Sequence, residues 1–107
     1  MSTITLITGA NRGLGRNIAT SVARRGGDVI IAYRGNTAQA EEVVAEIAAL
    51  GRKAVALQLD VAQIATFPAF ADTLRAALKD VWGRDSFDHL INNAGHGEFA
   101  LLSETTE

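Results

Sequence analysis

The sequence predicts a doubly wound α/β fold: a parallel sheet of strand order 3-2-1-4, layered between helices on both faces. Three observations predict it. Short apolar runs alternate with longer runs of helical periodicity, in the order strand, helix, strand, helix, strand, helix, strand. The first three short runs are rich in Ile, Val, Leu and Ala at both odd and even positions, the pattern of parallel strands covered on two sides. A glycine-rich turn separates the first strand from the first helix. Right-handed crossovers then place that turn at the carboxyl end of a central strand, beside the switch point between strands one and four.

Each element has its own warrant. Residues 3–8 form the first strand, and a helix follows over about 14–25. Leu14, Ile18, Val22 and neighbouring alanines share one face of that helix, and Gly26-Gly27 ends it. Residues 28–33 form the second strand. The second helix covers about 37–50, with Ala40, Val43, Val44, Ile47 and Leu50 at helical spacing. Asn36 or Thr37 caps its start and Gly51 its end. Residues 54–59 form the third strand. The third helix covers 67–82, with Phe67, Phe70, Leu74, Leu78 and Val81 inward. Pro68 sits in its first turn, where a missing N–H costs little, and Gly83 ends it. Residues 89–92 form the fourth strand. No internal repeat, low-complexity tract or linker interrupts this order, so residues 1–107 read as one domain.

The segment 102–107 has the composition of a helix start, with Thr105 or Thr106 as N-cap. Open α/β domains of about 200–250 residues are routine. The expectation is therefore the N-terminal portion of a longer fold, truncated after the fourth strand.

Composition bounds the function. A chain of 107 residues buries roughly 60–70% of its unfolded surface. Hydrophobic residues at 48% and charged residues at 21% describe a globular chain rather than a disordered one. A net charge of −2 gives no global electrostatic case for nucleic acid or an anionic membrane as partner. The absence of cysteine excludes disulfides, thiolate metal sites and a cysteine nucleophile within this sequence. Met1-Ser2-Thr3 carries no basic side chain, and no apolar run approaches the roughly 20 residues that span a bilayer. The expectation is a cytoplasmic protein.

The turn Gly9-x-x-x-Gly13-x-Gly15 carries the chemistry. Between a strand and a helix, glycines let backbone N–H groups approach a pyrophosphate, and the positive end of the helix dipole faces that anion. The spacing differs from the common G-x-G-x-x-G fingerprint, but the strand–turn–helix setting supports a Rossmann-type dinucleotide site. NAD-specific proteins place an acid at the end of the second strand. Here the sequence is Tyr33-Arg34-Gly35-Asn36. Arg34, with Arg12 inside the turn, offers a guanidinium to a 2′-phosphate, which favours NADP(H) over NAD(H). Arg34 also reads as a solvated turn residue. Asp60 ends the third strand and reads either as an acceptor for an adenine amino group or as a local turn-former. Asn92-Asn93-Ala94-Gly95 ends the fourth. Its amides can bridge backbone groups across the switch point, and Ala94 and Gly95 leave space for a ribose; an ordinary polar turn is the plainer reading. His89 and His96 make no metal pair with any acid at ligand spacing, and no metal is expected. Glu41 and Glu42 read as a solvated helix face.

Together these motifs resemble the front half of the short-chain dehydrogenase/reductase family, over nearly the whole chain, with members similar to 3-oxoacyl-carrier-protein reductases and related carbonyl reductases. The resemblance implies that Gly9, Asn11, Arg12, Gly13, Leu14 and Gly15 hold the pyrophosphate and adenosine ribose, with Asn11 and Arg12 near the 2′-phosphate. It implies that Arg34 helps select NADP(H), that Asp60 and Val61 contact the adenine, and that Asn92 and Ala94 line the cofactor ribose. Asn93 and Gly95 would hold the central strand. The family's serine and Tyr-x-x-x-Lys, which carry its proton transfer, have no counterpart here: the one tyrosine, Tyr33, lies elsewhere. The implied parent is an NADP(H)-dependent oxidoreductase that reduces a carbonyl or oxidises a secondary alcohol, as a homo-oligomer, with no catalytic residue in this stretch, which alone is expected to be inactive. The rival expectation is a non-catalytic dinucleotide-binding or redox-sensing module, or an inactive fragment.

Overall fold

A computed structural model describes residues 3–10, 13–59, 67–91 and 93. The elements are β1 (Ile4–Thr8), α1 (Gly13–Arg24), β2 (Asp28–Tyr33), α2 (Thr37–Ala49), β3 (Ala54–Gln58), α3 (Phe67–Trp82) and β4 (His89–Ile91). The four strands form a parallel sheet of order β3-β2-β1-β4, as the alternation of elements predicts. Leu6 of β1 stands opposite Ile30 of β2 and Leu90 of β4, and Ile31 of β2 opposite Ala56 of β3.

The sheet has a core on each face. Ile4, Leu6 and Ile30 point to one side, where Phe70, Leu74 and Leu78 of α3 cover them. Ile7, Val29 and Ile31 point to the other, against Ala19 and Ala23 of α1 and Val43 and Ile47 of α2. Each fully buried Ile, Leu or Val contributes about 1.5–3 kcal/mol. Every residue of β1 and β2 is buried, whereas β3 is only half-buried. The expected two-sided burial of β3 is thus only partly met, because β3 is an outer strand of this sheet.

α1 packs differently from the expectation. Its buried residues are Gly15, Ala19 and Ala23, while Ile18 and Val22 lie at the margin. Leu14 is 68% exposed. Small residues let the helix axis come close to the sheet, and the longer side chains are displaced to its flanks. Leu50 lies beyond the last turn of α2 and is also exposed, so it does not extend that helix's inward face. Asn36 is the N-cap of α2: its side chain accepts from Gln39 N at 3.1 Å, and it sits in the left-handed region with φ 60°.

Two carboxylates tie together the amino ends of the strands. Asp28, nearly buried, accepts from Arg52 Nε, from Lys53 N and from Trp82 Nε1 at 3.0, 3.0 and 2.8 Å. It joins β2, the approach to β3 and the end of α3. Asp88 accepts from Ile4 N at 2.8 Å and is clasped by Arg84 through both Nη atoms. Among the described residues no helix is long and apolar enough to cross a membrane.

Candidate dinucleotide site

All four strands run in one direction, so their carboxyl ends share one edge of the sheet. β1 enters the glycine turn at that edge, Arg34 follows β2 there, and Asn93 follows β4. The edge is stitched by short hydrogen bonds. Gly9 N donates to Ala32 O at 2.7 Å, Leu59 N to Tyr33 O at 2.7 Å, and Gln58 Nε2 to Arg34 O at 3.0 Å.

The turn is braced from β4. Asn93 N donates to Thr8 Oγ1 at 3.0 Å, and Asn93 Nδ2 donates to Gly9 O at 3.1 Å. The two glycines that bracket residues 10–12 are held in left-handed conformations, Gly9 at φ 66° and Gly13 at φ 59°. Such values suit a residue without Cβ. Gly15 has another reason to be glycine. A Cβ there would run into the Gly9 carbonyl and lie 2.6 Å from Asn93 Nδ2. α1 therefore presses its first turn directly against the loop.

These constraints shape the described part of the turn. A Cβ added at Gly13 would meet nothing within 4 Å, so the space before the turn is open. The first turn of α1 carries no acidic residue to occupy its N–H groups. The first-turn amides of a helix and its dipole suit an anion. The arrangement fits a pyrophosphate, with the chain's own backbone as the ligand set. Arg16, the next residue, turns away to α2, where it meets Glu46 Oε1 at 3.0 Å and Glu42 Oε1 at 3.3 Å. The Arg16 hydrogen bond holds the Glu46 carboxyl below its usual range. Glu42 is thus part of an interhelix clasp rather than a merely solvated face.

Of the residues expected at the site, the structure brings Gly9, Gly13, Leu14 and Gly15 together at the turn and places Arg34, exposed, at the same sheet edge. Asn11, Arg12, Asp60, Val61, Asn92, Ala94 and Gly95 lie outside the described residues. Sequence reasoning missed the acceptor role of Thr8. A hydroxyl buried at the end of an otherwise apolar strand is the signal that points to it. Among the described residues, no group of three or more His, Asp or Glu side chains could hold a metal ion.

A family model described as short chain dehydrogenase matches residues 3–107. The chain belongs to the short-chain dehydrogenase family. A short-chain dehydrogenase/reductase of Pestalotiopsis microspora, GME11373, is 41% identical over 104 residues, which is 97% of this chain and 37% of that protein. The 3-oxoacyl-[acyl-carrier-protein] reductase of Staphylococcus aureus is 42% identical over 108 residues, 100% of this chain and 41% of that protein. Among solved structures, the 3-oxoacyl-[acyl-carrier protein] reductase of Brucella melitensis in complex with NAD superposes with a TM-score of 0.72. It is 34% identical, over 91% of this chain and 35% of that one. The chain thus spans about two fifths of the length of the relatives it matches. The short-chain dehydrogenases are oxidoreductases that bind nicotinamide dinucleotides.

Proposed function

We propose that this chain forms the cofactor-binding half of an NADP(H)-dependent oxidoreductase that reduces a carbonyl or oxidises a secondary alcohol. The observation that carries the reading is the glycine turn braced by Asn93 at the carboxyl end of the central strand, with open space around Gly13. The cofactor supplies the hydride. Residues of this chain bind and orient it: the Gly9–Gly15 backbone takes the pyrophosphate, and Arg34 and Arg12 meet the 2′-phosphate. Asp60 and Val61 take the adenine, while Asn92, Ala94 and Gly95 border the ribose. Proton transfer belongs to residues of the parent outside this sequence, which contains no Tyr-x-x-x-Lys. The similarity to a carbonyl-acting 3-oxoacyl reductase supports the substrate class.

Selectivity for the 2′-phosphate is the test. Removing one bidentate cation from a phosphate loses roughly 1.5–3 kcal/mol. In Arg34→Asp, NADPH affinity is expected to fall by more than tenfold while NADH affinity holds or improves, as read by calorimetric titration of both. Equal losses for the two cofactors would remove Arg34 from the role.

A further inference from the structure

The hydrogen bonding between β2 and β3 continues past the ends of the two strands. Tyr33 stands opposite Gln58 at those ends, and Leu59 N donates to Tyr33 O at 2.7 Å. The next carbonyl, Arg34 O, belongs to the loop. The side chain of Gln58 takes it, with Nε2 donating at 3.0 Å. A side-chain amide thus extends the backbone ladder by one residue.

This bond falls within a short stretch pinned on both sides. Residues 34–37 are exposed, between buried β2 and the buried Ala40 of α2. On the near side, Tyr33 is held by the ladder. On the far side, Asn36 accepts from Gln39 N at 3.1 Å, and the Thr37 and Tyr33 hydroxyls share a hydrogen bond at 3.3 Å. Arg34 and Gly35 stand between these pins. A Cβ added at Gly35 would meet nothing within 4 Å, so the space beside the loop is open. Gln58 holds Arg34 by its own backbone.

Gln58 is exposed at the end of an outer strand, after the apolar run Ala54-Val55-Ala56-Leu57. A hydrogen bond at such a place adds little to stability, because water competes for both groups. Its consequence is where it puts Arg34. A guanidinium grips phosphate through two parallel N–H donors, a fork that depends on a fixed base. If the base wanders, fewer molecules are ready to bind, and apparent affinity falls by that fraction. We propose that Gln58 is a positioning residue for cofactor selectivity: by holding the Arg34 carbonyl it fixes the base of the side chain that meets the 2′-phosphate. The inference rests on the assignment of Arg34 to that phosphate, and Gln58 acts through Arg34 rather than by touching the cofactor.

The test is a double-mutant cycle in the 107-residue chain, with NADPH and NADH each titrated by calorimetry. Gln58→Met keeps the length of the side chain and removes its donor. It is expected to weaken NADPH about fivefold, the change that one hydrogen bond between neutral groups supports, and to leave NADH unchanged. In an Arg34→Ala background the same substitution is expected to leave NADPH unchanged as well. Three results would each overturn the proposal. Full NADPH affinity in Gln58→Met would show that the bond does not matter for binding. Equal losses for NADPH and NADH would give Gln58 a role in the fold alone. An equal NADPH loss with and without Arg34 would mean that Gln58 meets the cofactor directly. The underlying assignment fails separately and visibly: a wild-type chain that does not favour NADPH, or an Arg34→Ala variant that keeps the preference, removes Arg34 from the phosphate before any Gln58 variant is made, and this inference falls with it.

Discussion

Gly15 and Gly13 are the same residue type two positions apart, and the fold requires them for different reasons. At Gly15 the constraint is contact: a methyl would meet the Gly9 carbonyl and Asn93 Nδ2. At Gly13 it is conformation, with φ 59° and open space around the missing Cβ. Overpacking against backbone typically costs 1–3 kcal/mol. Gly15→Ala is therefore expected to lower stability by about 2 kcal/mol or more, and Gly13→Ala by about 1 kcal/mol. Urea unfolding of the two variants checks the order, and a milder effect at Gly15 would contradict the packing described. Asp88 sets a pH dependence at the same scale. Arg84 and the Ile4 amide hold its carboxyl at about 2, below the ordinary 3.8. A depressed carboxylate stabilises the fold above its unfolded pKa and loses that contribution as pH falls through its folded one. The Asp88 contribution is thus present above about pH 4 and gone below about pH 2. The group is a third exposed, so solvent screening reduces it to about 1 kcal/mol. Asp88→Asn is expected to flatten the acid limb of the stability curve by that amount in pH-dependent denaturation.

At the scale of elements, much of the fold was legible. β2 and α3 begin and end where apolar pattern and glycine stops put them, β1, α2 and β3 differ by one residue at one end, and α1 is shifted by one; the expected end of β4 at Asn92 lies outside the described residues. Periodicity alone misjudged Leu14 and Leu50, because it marks every apolar residue as inward and carries no information on how closely a helix approaches a sheet. The glycine turn was legible where conformation demands glycine, at Gly9 and Gly13. The fold was not legible where a polar group reaches across the sequence, as where Asp28 accepts from Trp82, since no local pattern marks a bond over 54 residues. That bond makes Asp28 the junction of three elements. Removing a buried carboxylate and orphaning its donors costs roughly 3–5 kcal/mol. Asp28→Ala is expected to lose about 3 kcal/mol in chemical denaturation, with a change in Trp82 emission as its Nε1 loses its acceptor. An unchanged emission would mean that the indole is not anchored there.

For the whole molecule, the sheet is the organising body. Its two central strands are buried on both faces, and three helices divide between those faces. Among the described residues β4 pairs with β1 alone. An unpaired strand edge is a template for another chain. The 107-residue chain is therefore expected to self-associate through β4, with a sedimentation coefficient that rises with concentration. A concentration-independent monomer would show that this edge is already satisfied.

The bracing of the glycine turn also fixes when it can exist. Asn93 lies 84 residues after the Gly9 carbonyl it holds, and Asp88 lies 84 after the Ile4 amide it accepts. Translation proceeds from the amino end, so β1 leaves the ribosome first, yet its partner β4 is made last among the described strands. A strand that is buried along its whole length must wait, unpaired on one side, for most of the chain to follow. Such distant pairings delay folding and leave the nascent chain open to aggregation. A ligand bound at the glycine turn, as proposed above, cannot rescue an early intermediate, because the bracing of that turn is complete only when Asn93 emerges.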